Sequence, residues 1–164
     1  MPLILVRVDD RLIHGQVVEG WLRHISVDCI IVINDAVAKD EMQCALYGMS
    51  VPTGVEVHCL GVETAINGFR EGLFNRKNVM VLLSNVQDTL KLAEAEIGIN
   101  SINIGGLHWT SGKKQIFKAL SVDAGDIAGL IKILRHGIEL EIRILPMNDR
   151  IALDEKTLLS LWNS

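Results

Sequence analysis

A short charged loop near the start of the chain carries the residues best suited to chemistry. His14 follows Asp9, Asp10 and Arg11 at close spacing. An imidazole can accept and pass on a phosphoryl group when one ring nitrogen is unprotonated and exposed and the other is held by a partner. Asp9 or Asp10 can hold that second nitrogen, and the Arg11 guanidinium can pair with phosphate oxygens. These residue types predict a phosphoryl-accepting histidine, with a salt-bridged surface turn as the plain alternative.

The backbone that follows the histidine is expected to contribute as well. Apolar residues recur at helical spacing after it, which predicts a helix over about 15–24. The amides of Gly15 and Gln16 would then point toward a bound anion, and Gly15 would leave room for close approach. Ser84, at the tip of a predicted strand, could donate to the same phosphate, although its Ser-Asn sequence also suits a turn.

Apolar strands and amphipathic helices alternate along nearly the whole chain. This alternation predicts an α/β three-layer sandwich with a mostly parallel central sheet and helices on both faces. The alternating charged and apolar residues from Ile138 to Leu145 predict a strand with one wet face, at an antiparallel edge of the sheet. The predicted strands are 3–8, 29–35, 55–60, 79–83, 101–104 and 138–145, and the predicted helices are 15–24, 40–49, 62–70, 88–96, 123–136 and 153–162. Residues 114–120 are expected to be extended or to form a hairpin arm.

In folds of this class, ligands bind where the loops follow the carboxyl ends of the strands. That rule nominates the loops 9–15, 34–35, 84–85 and 105–112. The last is glycine-rich but is not a nucleotide-binding phosphate loop, because Lys114 stands where a Ser or Thr would hold magnesium. This loop also contains His108, Trp109 and Lys113. It could border the His14 site or a partner surface, and the alternative is a flexible loop with a basic tip.

Composition narrows the class of protein. With 164 residues, the chain is expected to form a single domain over 1–164. The balance of 16 basic and 20 acidic residues leaves no basic face for a nucleic acid. The first residues lack the pattern of a signal peptide and no apolar run is long enough to insert in a membrane, so we expect a cytoplasmic protein without a leader. Cys29, Cys44 and Cys59 are widely spaced in apolar surroundings, which predicts reduced core thiols and no metal site.

The loop 9–15 and its flanking residues resemble a known signature. RVDDRLIHGQVVEGW, Arg7 to Trp21, is similar to the motif of the IIB subunits of the mannose/fructose/sorbose family of the bacterial phosphoenolpyruvate-dependent sugar phosphotransferase system (PTS). The similarity continues through IIVINDAVAKDE, INIGGLH and KALSVDAGDI, and it covers essentially the whole chain.

This resemblance implies a cytoplasmic phosphocarrier and phosphotransferase that works through a phosphohistidine, without a cofactor or metal. His14 would be phosphorylated on the ring nitrogen nearer the backbone by a phosphorylated IIA protein or domain. The group would pass to a sugar taken up through the membrane subunits IIC and IID. Asp10 is implied to orient the ring, Arg11 to pair with the phosphate and Asp9 to support them.

Two other classes remain open from the residues alone. A regulatory α/β module could hold phosphate in the same loop without covalent chemistry. A small hydrolase could use His14 with Asp10, although the chain has no nucleophile elbow of the G-x-S-x-G type.

Overall fold

Seven strands form one central sheet in the computed structural model, which describes residues 3–164. The first two residues of the predicted domain lie outside that range. The strands of the protein are β1 (Leu3–Asp9), β2 (Cys29–Ile33), β3 (Glu56–Leu60), β4 (Val79–Leu83), β5 (Ser101–Gly106), β6 (Lys114–Phe117), β7 (Leu120–Val122), β8 (Glu139–Ile142) and β9 (Ile151–Leu153). The helices are α1 (Asp35–Ala38), α2 (Glu41–Ser50), α3 (Val62–Arg70), α4 (Val86–Glu94), α5 (Ala124–Arg135) and α6 (Glu155–Asn163).

The strand order is β3-β2-β4-β1-β5-β8-β9, and every pair except β8 with β9 is parallel. The predicted α/β fold with a mostly parallel sheet is therefore confirmed. After β1 the chain builds β2, β3 and β4 on one side and then crosses to build β5, β8 and β9 on the other. Ligand sites of open α/β sheets lie where connections diverge in this way. The loop that follows β1 occupies that position.

Both faces of the sheet are covered, which explains the unbroken apolar runs in its strands. On one face, Val6 and Val8 of β1 pack with the apolar sides of α3, α4 and α5. On the other face, Leu12, Ile13 and Trp21 pack over β2 and β4. The segment that carries His14 is thus fastened to the core on the second face.

Three elements differ from the sequence expectation. The antiparallel edge exists, but its outer strand is β9; the predicted strand 138–145 ends at Ile142 and lies second from the edge. The region 114–120 forms part of the β6–β7 hairpin, outside the main sheet. The predicted helix 15–24 is irregular, with a π-helical turn at Gln16–Gly20 and a 3-10 turn at Trp21–Arg23.

The prediction of three reduced core thiols is wrong for two of them. Cys44 of α2 and Cys59 of β3 form a disulfide, with their Cα atoms 6.0 Å apart. Only tertiary packing brings these two residues together, since 15 positions separate them in sequence. Cys29 is free and fully buried in β2. No helix within residues 3–164 has the length and apolar character needed to cross a bilayer.

Candidate active site

Two buried apolar residues hold the loop after β1 in place. The loop turns sharply, with the Leu12 amide bonded to the Asp9 carbonyl at 2.9 Å. Leu12 has a positive φ of 57°, a conformation that costs a non-glycine residue roughly 1 kcal/mol or more. Its side chain and that of Ile13 are buried in the core, and this burial offsets the cost. The anchored turn leaves Arg11 exposed and His14 partly buried, with 15% of its side chain accessible.

Asp9 is the centre of the site. Its side chain is completely buried, and its Oδ2 lies 2.9 Å from Nε2 of His14. Its Oδ1 accepts a hydrogen bond from the Arg11 amide at 3.1 Å. Burial alone would raise the pKa of the Asp9 carboxyl; hydrogen bonds from His14 and the Arg11 amide, with the charges of His14 and Arg7, outweigh burial and lower this pKa to about 2. Asp9 is therefore ionised at neutral pH.

The two nitrogens of His14 have different environments. An ionised carboxylate accepts hydrogen bonds only, so Nε2 carries the proton that it shares with Asp9. In the neutral ring, Nδ1 then holds the lone pair. Its nearest hydrogen-bond donor is the Gln16 amide, at 3.4 Å. The ring thus offers Nδ1, the nitrogen nearer the backbone, as a nucleophile.

Arg11 is held between the two residues that contact the His14 ring. Its Nε lies 3.4 Å from Oδ1 of Asp9, and its NH2 donates to Oε1 of Gln16 at 2.8 Å. The Arg11 side chain is 40% exposed, so the guanidinium is positioned and yet accessible from solvent. A planar, permanently charged guanidinium at this place is suited to an incoming phosphate.

The structure corrects the expectation that Asp10 orients the ring. Asp10 instead accepts hydrogen bonds from the His108 amide at 2.7 Å and faces His108 Nδ1 at 2.6 Å. Asp10 lies in the turn just beyond β1, and none of the hydrogen bonds within residues 3–164 joins it to His14. Asp9, which the sequence assigned to a supporting role, is the residue in contact.

The remaining predicted residues lie near the loop with differing contacts. Gly15 begins the π-helical turn, and a β-carbon added there would meet open space, so the backbone is accessible at that point. Ser84 accepts hydrogen bonds from Asn34 at 2.9 Å and Asn85 at 3.2 Å. None of the hydrogen bonds found in residues 3–164 joins Ser84 to His14. Its role as a phosphate ligand stays a prediction.

The predicted glycine-rich loop 105–112 borders the site at its first two residues, which in the structure are the last residues of β5. A β-carbon on Gly106 would lie 3.7 Å from the Asp9 carboxylate and 3.8 Å from the Arg11 guanidinium. Further along, Lys113 pairs with Asp126 at 2.6 Å, and Trp109 is 64% exposed. The loop is therefore tied down at both ends, and it presents one aromatic side chain to solvent.

Sequence reasoning missed Arg7. It is fully buried in β1, and its NH2 donates to Oδ2 of Asp9 at 3.1 Å. A charged residue within an otherwise apolar buried strand was the available signal, because such a residue needs a buried partner.

One group of potential metal ligands occurs within residues 3–164, formed by Cys29, Glu56 and His58 with their ligand atoms within 4.8 Å. Lys77 and His58 already pair with the Glu56 carboxylate. Burial raises the pKa of the Cys29 thiol to about 11. The group lies on β2 and β3 toward their amino ends and has no part in the His14 site.

Comparison with known proteins agrees with this geometry. A family model described as "PTS system sorbose subfamily IIB component" matches residues 3–160. The chain belongs to this family. Its members are phosphocarrier components of sugar-specific phosphotransferase systems and act through a phosphohistidine, so the predicted function is confirmed at the level of the family.

Relatives of the family resemble the chain over nearly its whole length. It is 35% identical over 155 residues to the sorbose-specific EIIB component of Lacticaseibacillus casei, covering 93% of this chain and 94% of that protein. It is 37% identical over 153 residues to the mannose-specific EIIAB component of Escherichia coli K12, covering 93% of this chain and 47% of that protein. The chain thus spans about half the length of that curated relative.

A solved structure shows the same fold. The IIBSor domain of the sorbose permease from Klebsiella pneumoniae superposes with a TM-score of 0.89 at 32% identity, covering 99% of this chain and 97% of that chain.

Proposed function

We propose that Nδ1 of His14 accepts a phosphoryl group from a phosphorylated IIA protein or domain and delivers it to a sugar entering through the IIC and IID subunits. In this proposal, residues 1–164 act as one IIB domain in the cytoplasm. The observation that carries the proposal is the contact of 2.9 Å between Nε2 of His14 and the buried Asp9 carboxylate. That contact leaves the lone pair on Nδ1.

Phosphoryl acceptance then requires little from this chain beyond position and charge. The Nδ1 lone pair attacks phosphorus, and the bond from phosphorus to the donor nitrogen breaks in line. The ring gains positive charge as the Nδ1–P bond forms, and Asp9 stabilises that charge through the Nε2 proton. Arg11 and the Gln16 amide lie where phosphate oxygens would meet donors.

Delivery uses the same groups in reverse. A sugar hydroxyl attacks phosphorus and releases its proton to solvent, while the Nδ1–P bond breaks and its electron pair returns to the ring. Because Nε2 keeps its proton throughout, the imidazole leaves as a neutral group. Asp9 therefore serves both half-reactions without changing its own protonation.

The test is labelling of the purified protein with phosphoenolpyruvate, the general phosphotransferase proteins and the matching IIA. We expect one acid-labile phosphoryl group on the wild type and none on His14→Ala. His136→Ala is the matched control, because His136 is an exposed histidine at the end of α5 and should leave labelling unchanged. Labelling that persists in His14→Ala would reject the assignment. Reversible phosphate binding without covalent labelling would favour the anion-binding alternative.

A further inference from the structure

A buried arginine shares one carboxylate oxygen with the reactive histidine. Oδ2 of Asp9 receives NH2 of Arg7 at 3.1 Å and faces Nε2 of His14 at 2.9 Å. Arg7 and Asp9 are both fully buried, two residues apart on the same side of β1. Water cannot screen this pair, so the position and charge of Arg7 act directly on the carboxylate.

The Arg7 guanidinium is fixed from several directions. Its NH1 donates to the side chain of Asn103 at 2.6 Å and to the Arg143 carbonyl at 2.9 Å. Its Cζ lies 5.3 Å from the ring centroid of Trp21. At Gly105, an added β-carbon would lie 2.0 Å from Arg7 Cζ, so this position has to lack a side chain. These contacts come from β5, from the 3-10 turn and from the residue that follows β8, and together they allow the guanidinium one place.

We propose that Arg7 is a positioning residue for phosphoryl transfer. It aims the Asp9 carboxylate at Nε2 of His14, and its positive charge limits how strongly that carboxylate stabilises the protonated form of the ring. The proposal rests on His14 being the phosphoryl acceptor. Without the guanidinium, a buried carboxylate would be free to rotate, and its uncompensated charge would favour a protonated, non-nucleophilic ring. The first effect misplaces the ring, and the second lowers the fraction of neutral, nucleophilic ring at neutral pH.

Other charges surround this pair. Arg11 contacts Asp9 from the loop. Glu141 lies near the end of β8, and Arg143 follows that strand. Arg143 stacks on Trp21 at 5.0 Å but pairs with Glu141. Within residues 3–164, no ion pair joins Arg143 to Asp9. Arg143 is therefore a matched control, a nearby guanidinium on the same indole ring without the proposed contact.

The experiment uses phosphoramidate, which transfers a phosphoryl group to imidazoles without any partner protein. Its P–N bond breaks, ammonia leaves, an Nδ1–P bond forms, and Nε2 keeps its proton. The rate of phosphohistidine formation is measured against pH for folded wild type, Arg7→Met, Arg7→Lys and Arg143→Met, with His14→Ala to subtract labelling of other histidines.

We expect Arg7→Met to react about tenfold more slowly at neutral pH, with the half-maximal rate displaced upward by about one pH unit. Arg7→Lys keeps the charge and should recover part of the rate, while Arg143→Met should stay within about twofold of wild type. A wild-type rate and pH profile for folded Arg7→Met would overturn the proposal. So would an equal displacement in Arg143→Met, which would indicate a general effect of charge.

A second variant addresses the risk that Arg7→Met does not fold. Asn103→Asp is nearly isosteric and places a competing carboxylate against NH1 of Arg7. It should displace the pH profile upward as Arg7→Met does, and an unchanged profile would reject the proposal. Because phosphoramidate labelling needs no phosphotransferase protein, these outcomes are separate from the labelling by IIA. If only the labelling by IIA fails, the proposed phosphocarrier function is rejected, while the role of Arg7 toward His14 still stands.

Discussion

At the scale of single residues, Asp9 connects the charged groups of the site. One oxygen joins it to Arg11, and the other joins it to Arg7 and His14. A single ionised carboxylate thereby fixes the tautomer of His14 and the place of the Arg11 guanidinium. Substitution at Asp9 would disturb all three partners at once, so Arg11 is the clearer subject for mutation.

Replacing Arg11 by Ala should separate phosphate recognition from stability. The side chain is 40% exposed, so its loss should change the free energy of unfolding by no more than about 0.5 kcal/mol. We expect the rate of phosphoryl acceptance from IIA to fall by about tenfold to a hundredfold, because one charged donor to the phosphate is lost. Rapid-quench kinetics in both transfer directions would measure this.

Arg23→Ala provides the control for that experiment. Arg23 is an exposed arginine that pairs with Glu19 one turn away on the same segment. Its loss should affect neither stability nor transfer. Equal transfer rates for Arg11→Ala and Arg23→Ala would refute a role for Arg11 in holding phosphate.

The sequence nominated the loop and its histidine and left either aspartate as the partner of the ring; the family resemblance favoured Asp10, whereas the structure places Asp9 against the ring. His14, Arg11 and the carboxylates are adjacent in sequence, so their residue types alone indicated the chemistry. Which aspartate meets the ring depends on which face of the sheet the segment after His14 covers. That choice is made by packing of residues such as Leu12 and Trp21, and local sequence does not contain it.

At the scale of elements, three of the predicted helices begin close to an aspartate that caps them in the structure. Asp40, Asp123 and Asp154 each accept a hydrogen bond from the first turn of the helix that follows, and this is a local signal. The short edge strand β9 and the π-helical turn after His14 carry no such signal. Both depend on contacts with distant residues, which is why sequence patterns did not indicate them.

Gly105→Ala tests how closely β5 and β1 are fitted around the buried guanidinium. The added methyl group would overlap Arg7, and we expect a loss of about 1–3 kcal/mol in the free energy of unfolding. Denaturant unfolding would measure it. Gly48→Ala in α2 is the control, since a β-carbon there meets nothing within 4 Å, and this variant should be unchanged or slightly more stable. Equal stability of the two variants would contradict the close fit.

At the scale of the whole molecule, strand order was beyond the reach of the sequence. Alternation of strands and helices predicts a parallel sheet but not which strands are neighbours. The structure places β1 between β4 and β5, in the middle of the sheet. The loop that carries His14 therefore extends from the central strand, whose last four residues are buried, so that the ion pair of Arg7 with Asp9 is kept from water.

The disulfide joins α2 to the outer strand β3, and thiol counting can test it. In denaturant without reductant, we expect one thiol per chain to react with Ellman's reagent, and after reduction we expect three. Cys29 in the folded protein should react very slowly, because it is buried and burial raises its pKa to about 11. The rate should increase as pH rises toward that value. Three reactive thiols before reduction would show that Cys44 and Cys59 are not bonded.

The complete occupation of the Asp9 carboxylate also bears on the lifetime of a phosphorylated protein. Water destroys a phosphohistidine fastest when a free base beside it can take the proton of the attacking water. Both Asp9 oxygens already hold N–H donors, and Asp10 is turned toward His108. The carboxylates beside His14 therefore have no free oxygen to accept a proton from an attacking water. A phosphoryl group on His14 would therefore be hydrolysed slowly in the absence of an acceptor.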